Sequence, residues 1–252
     1  MIAPVARFAA SAFVLTVASN CARNMLQVAQ IRQQLSSPVA NPLEQLSSDF
    51  SIWDCLQTMN RKQLLQVFAH GRAPKESELA EWFSNGSNGE PSYCEWNAKL
   101  LDNDGIIMNG SSEILTNQLF GGNLLPWRLL GEASKAKGKW NGKAFGRPTT
   151  SKGKGINRFQ TKDGSTFLRH SFDYRITESQ VLKGGSKQKA LRLDYSKYQR
   201  ISSLWWSMHD EVRVVDASND QVVMIGMGWM GWSGGALNCS PFLLEQPRSR
   251  NK

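Results

Sequence analysis

The sequence has few residues of the types that bind metals or act as nucleophiles. It contains three histidines and four cysteines, and no two cysteines are spaced as Cys-x-x-Cys, so neither a zinc site nor a thioredoxin-like motif is indicated. The chain also lacks a Gly-x-Ser-x-Gly elbow, a phosphate-binding glycine loop and a dinucleotide fingerprint. We therefore expect no metal and no cofactor.

The cysteines leave two arrangements open. If Cys21 is removed with a targeting segment, Cys55, Cys94 and Cys239 remain. In an oxidising compartment these three would form one disulfide and leave one free thiol. The alternative is three buried free thiols.

The N-terminal region has no acidic residue before Glu44 and no apolar run long enough to span a bilayer. Phe8–Ser19 is an apolar run of twelve residues, whereas a transmembrane helix needs about 20. A short apolar run followed by a basic, Gln-rich and Ser-rich stretch is typical of a signal peptide joined to a transit-like extension. We predict that residues 1–43 are a targeting segment for the secretory pathway or for import into an organelle, including a plastid. The alternative is an N-terminal anchoring or buried helix.

The formal net charge of +9 is unevenly distributed. The segment Lys135–Lys154 carries many basic residues and no acidic one. Such a segment suits contact with an anionic membrane surface, and the alternative is a solvated loop. Because no nucleic-acid-binding motif accompanies it, we expect no specific nucleic-acid partner.

Period-two alternation of apolar and polar residues dominates the last third of the chain. In Phe167–Thr177 one face carries Leu168, His170, Phe172, Tyr174 and Ile176, which predicts a half-buried strand. Similar patterns predict about eight strands, enough for a closed antiparallel barrel that holds one small ligand. The predicted strands are Cys94–Leu101, Lys139–Phe145, Gly155–Gln160, Phe167–Thr177, Leu191–Tyr195, Glu211–Val214, Gln221–Trp232 and Ser240–Glu245.

Helical patterns precede the strands. Ser48–His70 and Pro74–Phe83 are predicted helices within a helical region that spans residues 44–90. The barrel domain is expected over residues 91–245, with a disordered tail over residues 246–252. We interpret Leu119–Leu130 as a loop or short helix that covers the barrel mouth.

Several motifs resemble those of known barrels. Gly138-Lys139-Trp140 is similar to the Gly-x-Trp triplet of the first lipocalin strand. Trp140–Phe145 (Trp-x-Gly-Lys-x-Phe) and Leu191–Ser196 (Leu-x-Leu-Asp-Tyr-Ser) resemble segments of uncharacterised bacterial and algal barrel proteins. Over Tyr93–Glu245 the chain thus resembles a lipocalin-like, or calycin, barrel. The resemblance implies a mainly β fold with an N-terminal helical segment and a cavity for an apolar small molecule.

The expected function is therefore the binding of a small hydrophobic molecule, such as a lipid, a pigment or an isoprenoid, inside the barrel. The residues expected to line or cap the cavity are Trp140, Arg158, His170, Tyr174, Trp229 and Trp232. An interior arginine such as Arg158 would bind a ligand carboxylate through two charge-assisted hydrogen bonds.

Two alternatives stay open. One is an isomerase or hydrolase on the same barrel, with His170 as the acid or base. The other is a basic peripheral structural protein that docks through Lys135–Lys154. His209 and Glu211 share one strand face but are too few to predict a metal site. Asp210 and Arg213 are expected to form ion pairs at the surface.

Overall fold

The protein forms a closed antiparallel barrel of eight strands. The computed structural model describes residues 22–34, 41–45, 51–83, 93–101, 138–183, 188–199, 204–218, 221–231 and 234–246. Each strand pairs with its neighbours in sequence, and the last strand pairs with the first. The strands are β1 (Cys94–Leu100), β2 (Gly138–Phe145), β3 (Lys152–Thr161), β4 (Thr166–Glu178), β5 (Lys189–Asp194), β6 (Met208–Ser218), β7 (Gln221–Met230) and β8 (Ser240–Glu245). The predicted mainly β barrel of eight strands is confirmed. The predicted cover over Leu119–Leu130 lies outside the described residues.

The Gly-x-Trp triplet opens β2 rather than the first strand of the barrel. Because Cys94–Leu100 already supplies β1, this triplet does not occupy the place that it has in lipocalins. The barrel of eight strands is therefore consistent with the resemblance, whereas the position of this triplet is not.

The helices precede the barrel. They are α1 (residues 22–34), α2 (Ile52–Thr58), α3 (Arg61–His70) and α4 (Glu76–Trp82), and none of the helices in the described ranges is both long and apolar enough to cross a bilayer. The predicted helix over Ser48–His70 is two helices, because Asn60 starts a new one. The Asn60 side chain accepts a hydrogen bond from the Gln63 amide, and the Gln63 side chain accepts one from the Asn60 amide, each at 3.0 Å. This reciprocal capping box satisfies amides that a helix start leaves unpaired.

Aromatic side chains fill one end of the barrel. Phe83, directly after α4, stacks on Phe145 with a centroid distance of 4.3 Å and contacts Trp96 and Tyr174 edge-on at 5.8 and 5.5 Å. Helix α4 thereby closes this end, at which β1 begins and β2 finishes. We call it the helical end, and the opposite opening the far end.

Glycines on the inner face make room for the aromatic rings of neighbouring strands. The ring of Phe242 on β8 lies over Gly226 on β7, and a Cβ at Gly226 would overlap it. The ring of Phe172 covers Gly155 in the same way. These glycines are required by close approach of a side chain, as in other strands where a ring lies across a glycine.

A second apolar core lies between the helices and the outer face of β7 and β8. It is built from Val223, Ile225, Met227, Trp229 and Leu243 on the strands, together with side chains of α3. Strand β7 is therefore buried on both faces, which explains its nearly continuous apolar sequence. Helix α1 joins this core through two buried residues, Val28 and Ile31.

The three cysteines in the described residues, Cys55, Cys94 and Cys239, are buried free thiols. Of the two arrangements left open by the sequence, the structure has the one without a disulfide among these three residues.

The alternation predicted across Phe167–Thr177 is interrupted at His170. This residue is the extra one in a β-bulge between β3 and β4, and its φ of 60° is in the left-handed region. The expected inward placement of Leu168 is wrong: Leu168 is 43% exposed, and Phe167 packs on the core instead. On the other side of the bulge, the predicted inward face is confirmed for Phe172, Tyr174 and Ile176.

The contact between Gly226 and Phe242 gives a test of the interior packing. We expect Gly226→Ala to lower the free energy of unfolding by about 1–3 kcal/mol, because the added methyl overlaps the ring. Phe242→Leu in the same chain should recover part of this loss, so that the two changes are less than additive. Urea denaturation of the single and double variants measures the coupling. Strict additivity would contradict the packing described.

Candidate functional site

The barrel interior holds a buried ion pair between Lys143 and Asp210. Their Nζ and Oδ2 atoms are 2.8 Å apart, and the side chains are 2% and 1% exposed. Strand alternation places both charges inside: Lys143 is two residues from Phe145 on β2, and Asp210 is two residues from Val212 on β6. The expectation that Asp210 forms a surface ion pair is therefore wrong. Arg213 is also buried, beside Phe68 of α3.

Two further side chains complete the hydrogen bonding of the ammonium group. Lys143 Nζ donates to Asn157 Oδ1 at 2.9 Å and to Tyr195 Oη at 2.6 Å. With Asp210, these acceptors use all three protons of the ammonium. The Tyr195 hydroxyl in turn donates to Asp210 Oδ2 at 2.8 Å. We call these four residues the Lys143 cluster.

Aromatic rings surround the ammonium group. Its Nζ lies 5.2–5.3 Å from the centroids of Trp140, Phe172, Tyr195 and Phe242. The negative faces of such rings stabilise a cation at this range. The indole of Trp140 also donates to Asn157 Oδ1 at 3.3 Å, which links the rings to the cluster.

Burial and charge act in opposite directions on Lys143. Burial lowers the pKa of its ammonium, while the Asp210 carboxylate raises it. Burial, reinforced by the neighbouring Asp210 charge, raises the pKa of Tyr195 well above its ordinary value. Tyr195 is therefore a stable hydrogen-bond donor to the carboxylate at neutral pH.

One oxygen of the cluster has no partner. Within the described residues, Asp210 Oδ1 is buried and accepts no hydrogen bond. It lies against Gly228 of β7, where a Cβ would come within 2.7 Å of it. Buried carboxylate oxygens are seldom left unpaired, so this atom is an acceptor for a donor from water or from a ligand.

Apolar side chains surround the barrel interior at the far end. In cross-strand register Trp140 pairs with Phe159, Phe159 with Phe167, and Met208 with Met230. The rings of Phe159 and Phe167 stack at 5.3 Å. We call these five residues the far-end rim. The rim lies on the side of the Lys143 cluster opposite to Phe83.

The residues predicted to line the cavity do not converge on one place. Trp140 and His170 lie at the far end, where the His170 ring is 6.1 Å from that of Phe159 and its Nδ1 is 3.2 Å from Gln199 Nε2. Tyr174 is inside at the helical end, and its hydroxyl donates to the Gly146 carbonyl at 2.7 Å.

The remaining predicted residues are elsewhere. Arg158 follows the inward-facing Asn157, so it points outward, where it forms an ion pair with Glu95 at 2.5 Å and donates to Asn97 Oδ1 at 2.7 Å. Trp229 belongs to the outer core beneath the helices. Trp232 lies outside the described residues.

Sequence reasoning missed the Lys143 cluster. It assigned Lys143 to the basic segment Lys135–Lys154, whose other described basic members, Lys139, Arg147, Lys152 and Lys154, are exposed. The sequence contained one sign of this difference: Lys143 is two residues from the apolar Phe145, so the two side chains lie on the same face of a strand. Docking of this segment on an anionic membrane stays a prediction.

The described residues contain no group of three or more His, Cys, Asp or Glu side chains that could hold a metal ion. Comparison of the chain with protein-family models, curated proteins and solved structures found no match. The functional argument therefore depends on the chemistry of the barrel itself.

The Lys143–Asp210 pair predicts a pH-dependent defect in Asp210→Asn. Removing the carboxylate leaves a buried ammonium without a counter-charge, and we expect a loss of about 3–5 kcal/mol of stability at pH 7. Without the carboxylate the pKa of Lys143 falls further in the folded state, whereas the unfolded value stays near 10.5. Between these two values the unfolded chain binds more protons, so stability rises with pH and the defect shrinks.

Chemical denaturation of both proteins between neutral pH and about pH 10 measures this trend. The matched control is the double variant Lys143→Met with Asp210→Asn, whose stability should lack the pH-dependent recovery. A defect in Asp210→Asn that is constant with pH would contradict the assignment.

Proposed function

We propose that the protein is a lipocalin-like barrel that binds a small hydrophobic molecule, such as a lipid, a pigment or an isoprenoid, at its far end. The observation that carries the proposal is the unpaired, buried Asp210 Oδ1, which belongs to a small polar cluster among the aromatic and aliphatic side chains of the interior. Apolar walls with a few fixed polar groups are typical of small-molecule sites.

The hydrogen bonding of the cluster indicates which ligand group it would accept. All three protons of Lys143 are in use, so the cluster offers no free donor from this residue. Asp210 Oδ1 offers an acceptor. The ligand that fits is a hydrophobic molecule with a hydroxyl or amine group, and the proposal does not use Arg158, which is paired on the outer face.

The far-end rim offers a matched pair of variants. Phe167 faces the interior and Leu168, its neighbour, faces outward. We expect Phe167→Ala to weaken ligand binding about tenfold or more through lost apolar contact, and Leu168→Ala to leave it unchanged. Quenching of tryptophan fluorescence during titration reports binding, because Trp140 lies in the rim.

The chemical preference is tested with ligands of equal chain length that end in a hydroxyl, an amine or a methyl ether. The hydroxyl and amine compounds should bind about tenfold more tightly than the ether, which cannot donate to Asp210. Native mass spectrometry of the protein from its own source should detect a bound hydrophobic molecule. Absence of any bound molecule, with fluorescence unmoved by the whole panel, would refute the proposal.

The enzymatic alternative is tested with the same ligands. His170→Gln removes the titratable ring while keeping an amide of similar size. If the protein only binds, its affinity is retained and no ligand is transformed. Turnover by the parent protein that disappears in His170→Gln would favour the isomerase or hydrolase.

A further inference from the structure

A groove with a volume of about 840 Å³ lies on the outer surface of β3, β4 and β5, near the helical end. Five basic side chains line it: Arg147, Lys152, Lys154, Arg175 and Lys197. The groove shares no residue with the Lys143 cluster. It is therefore a separate feature, and an inference from it does not rest on the proposed function.

Strand geometry brings these cations together. Lys152 and Lys154 alternate on β3 with Gly153 and Gly155, whose missing side chains face the interior rings, so both lysines face outward. Arg175 on β4 is the direct cross-strand partner of Lys152. Arg147 follows the end of β2, where the chain turns towards β3.

Four of the five cations, all except Lys197, are not neutralised. In the described part of the chain, none of their side chains forms a hydrogen bond or an ion pair, and all four are exposed. Like charges that lie directly opposite on neighbouring strands repel each other, as Lys152 and Arg175 do here. An anion placed between them would remove that repulsion.

The two carboxylates that border the groove are already engaged. Asp173 accepts from Tyr198 Oη at 2.6 Å and pairs with Lys197 at 3.3 Å. Asp194 accepts from the backbone amide and the hydroxyl of Ser196 at 3.0 and 2.6 Å. Because five cations line the groove and only these two carboxylates do, the field inside the groove is positive.

The shape of the groove favours a small ligand over an extended surface. Its volume is within the range of about 300–1,000 Å³ that is typical of small-molecule sites, and its cations line a concave wall. Tyr93, which is partly buried, adds an aromatic ring to the same wall. Arg and Lys side chains together are the usual partners of phosphate oxygens.

From these observations we infer that the groove is a binding site for a small molecule with two or more phosphate charges. Its phosphate oxygens would lie between Lys152, Lys154 and Arg175. The partner class is defined by charge and size, and the ring of Tyr93 would contact any apolar or aromatic part of the same ligand.

The experiment is calorimetric titration of the full chain with inorganic triphosphate at low and at physiological ionic strength. The variant Lys152→Gln with Arg175→Gln should bind it about tenfold to a hundredfold more weakly, because two charged contacts are lost. The matched control is Lys62→Gln with Lys162→Gln, which removes the same charge from exposed positions outside the groove. The control should bind as the parent protein does.

Two outcomes would overturn the inference. The first is equal loss in the groove variant and the control, which would show attraction by net charge alone. The second is no binding of triphosphate by the parent protein. If the parent protein then floats with phosphatidylglycerol vesicles but not with phosphatidylcholine vesicles, membrane docking by the basic segment would be favoured instead.

Discussion

The ion pair inside the barrel is the constraint on which the rest of the structure depends. A charge moved from water into an apolar interior costs several kcal/mol unless it is paired and its hydrogen bonds are satisfied. Lys143 meets this condition only when Asn157, Tyr195 and Asp210 all reach its Nζ. These residues come from β2, β3, β6 and the segment directly after β5, so the pair is satisfied only in the closed barrel.

This requirement acts on strand register more strongly than on net stability. A slip of one residue in β2 would turn Lys143 outward and bring Ala144 inward, and Asp210 would be left buried without its cation. The same slip would also turn the apolar side chain of Phe145 outward, and the unpaired buried charge adds its own penalty to that loss. The cluster therefore adds to the preference for the observed pairing of these strands.

The aromatic packing follows from the same interior. Four rings surround the Lys143 ammonium, and two of them lie where the neighbouring strand has a glycine in place of a side chain. Gly155 and Gly226 provide that space for Phe172 and Phe242. The glycines of β3 and β7 are explained by close approach of the protein's own side chains.

Alternation along the chain was enough to locate the eight strands, because each buries one face or two. It was not enough to place the site. At His170 a single extra residue reverses the faces, so Phe167 replaces Leu168 inside, and no periodic pattern reveals where a bulge occurs. Arg158 was misplaced for another reason: the apolar residues Ile156 and Phe159 lie on opposite faces of β3, so the pattern did not show which face is the inner one.

The lysines show most clearly that composition does not predict which side chains are buried, whereas strand geometry does. Lys143, Lys152 and Lys154 belong to one acid-free basic segment, and composition treats them alike. Lys143 shares its strand face with Phe145, so it is buried and fully hydrogen-bonded. Lys152 and Lys154 lie on the outer face of β3. The inward-facing residues next to them are Gly153 and Gly155, which lie under the rings of Tyr174 and Phe172. The same residue type thus stabilises the interior at one position and leaves an unneutralised positive charge at the surface at the others.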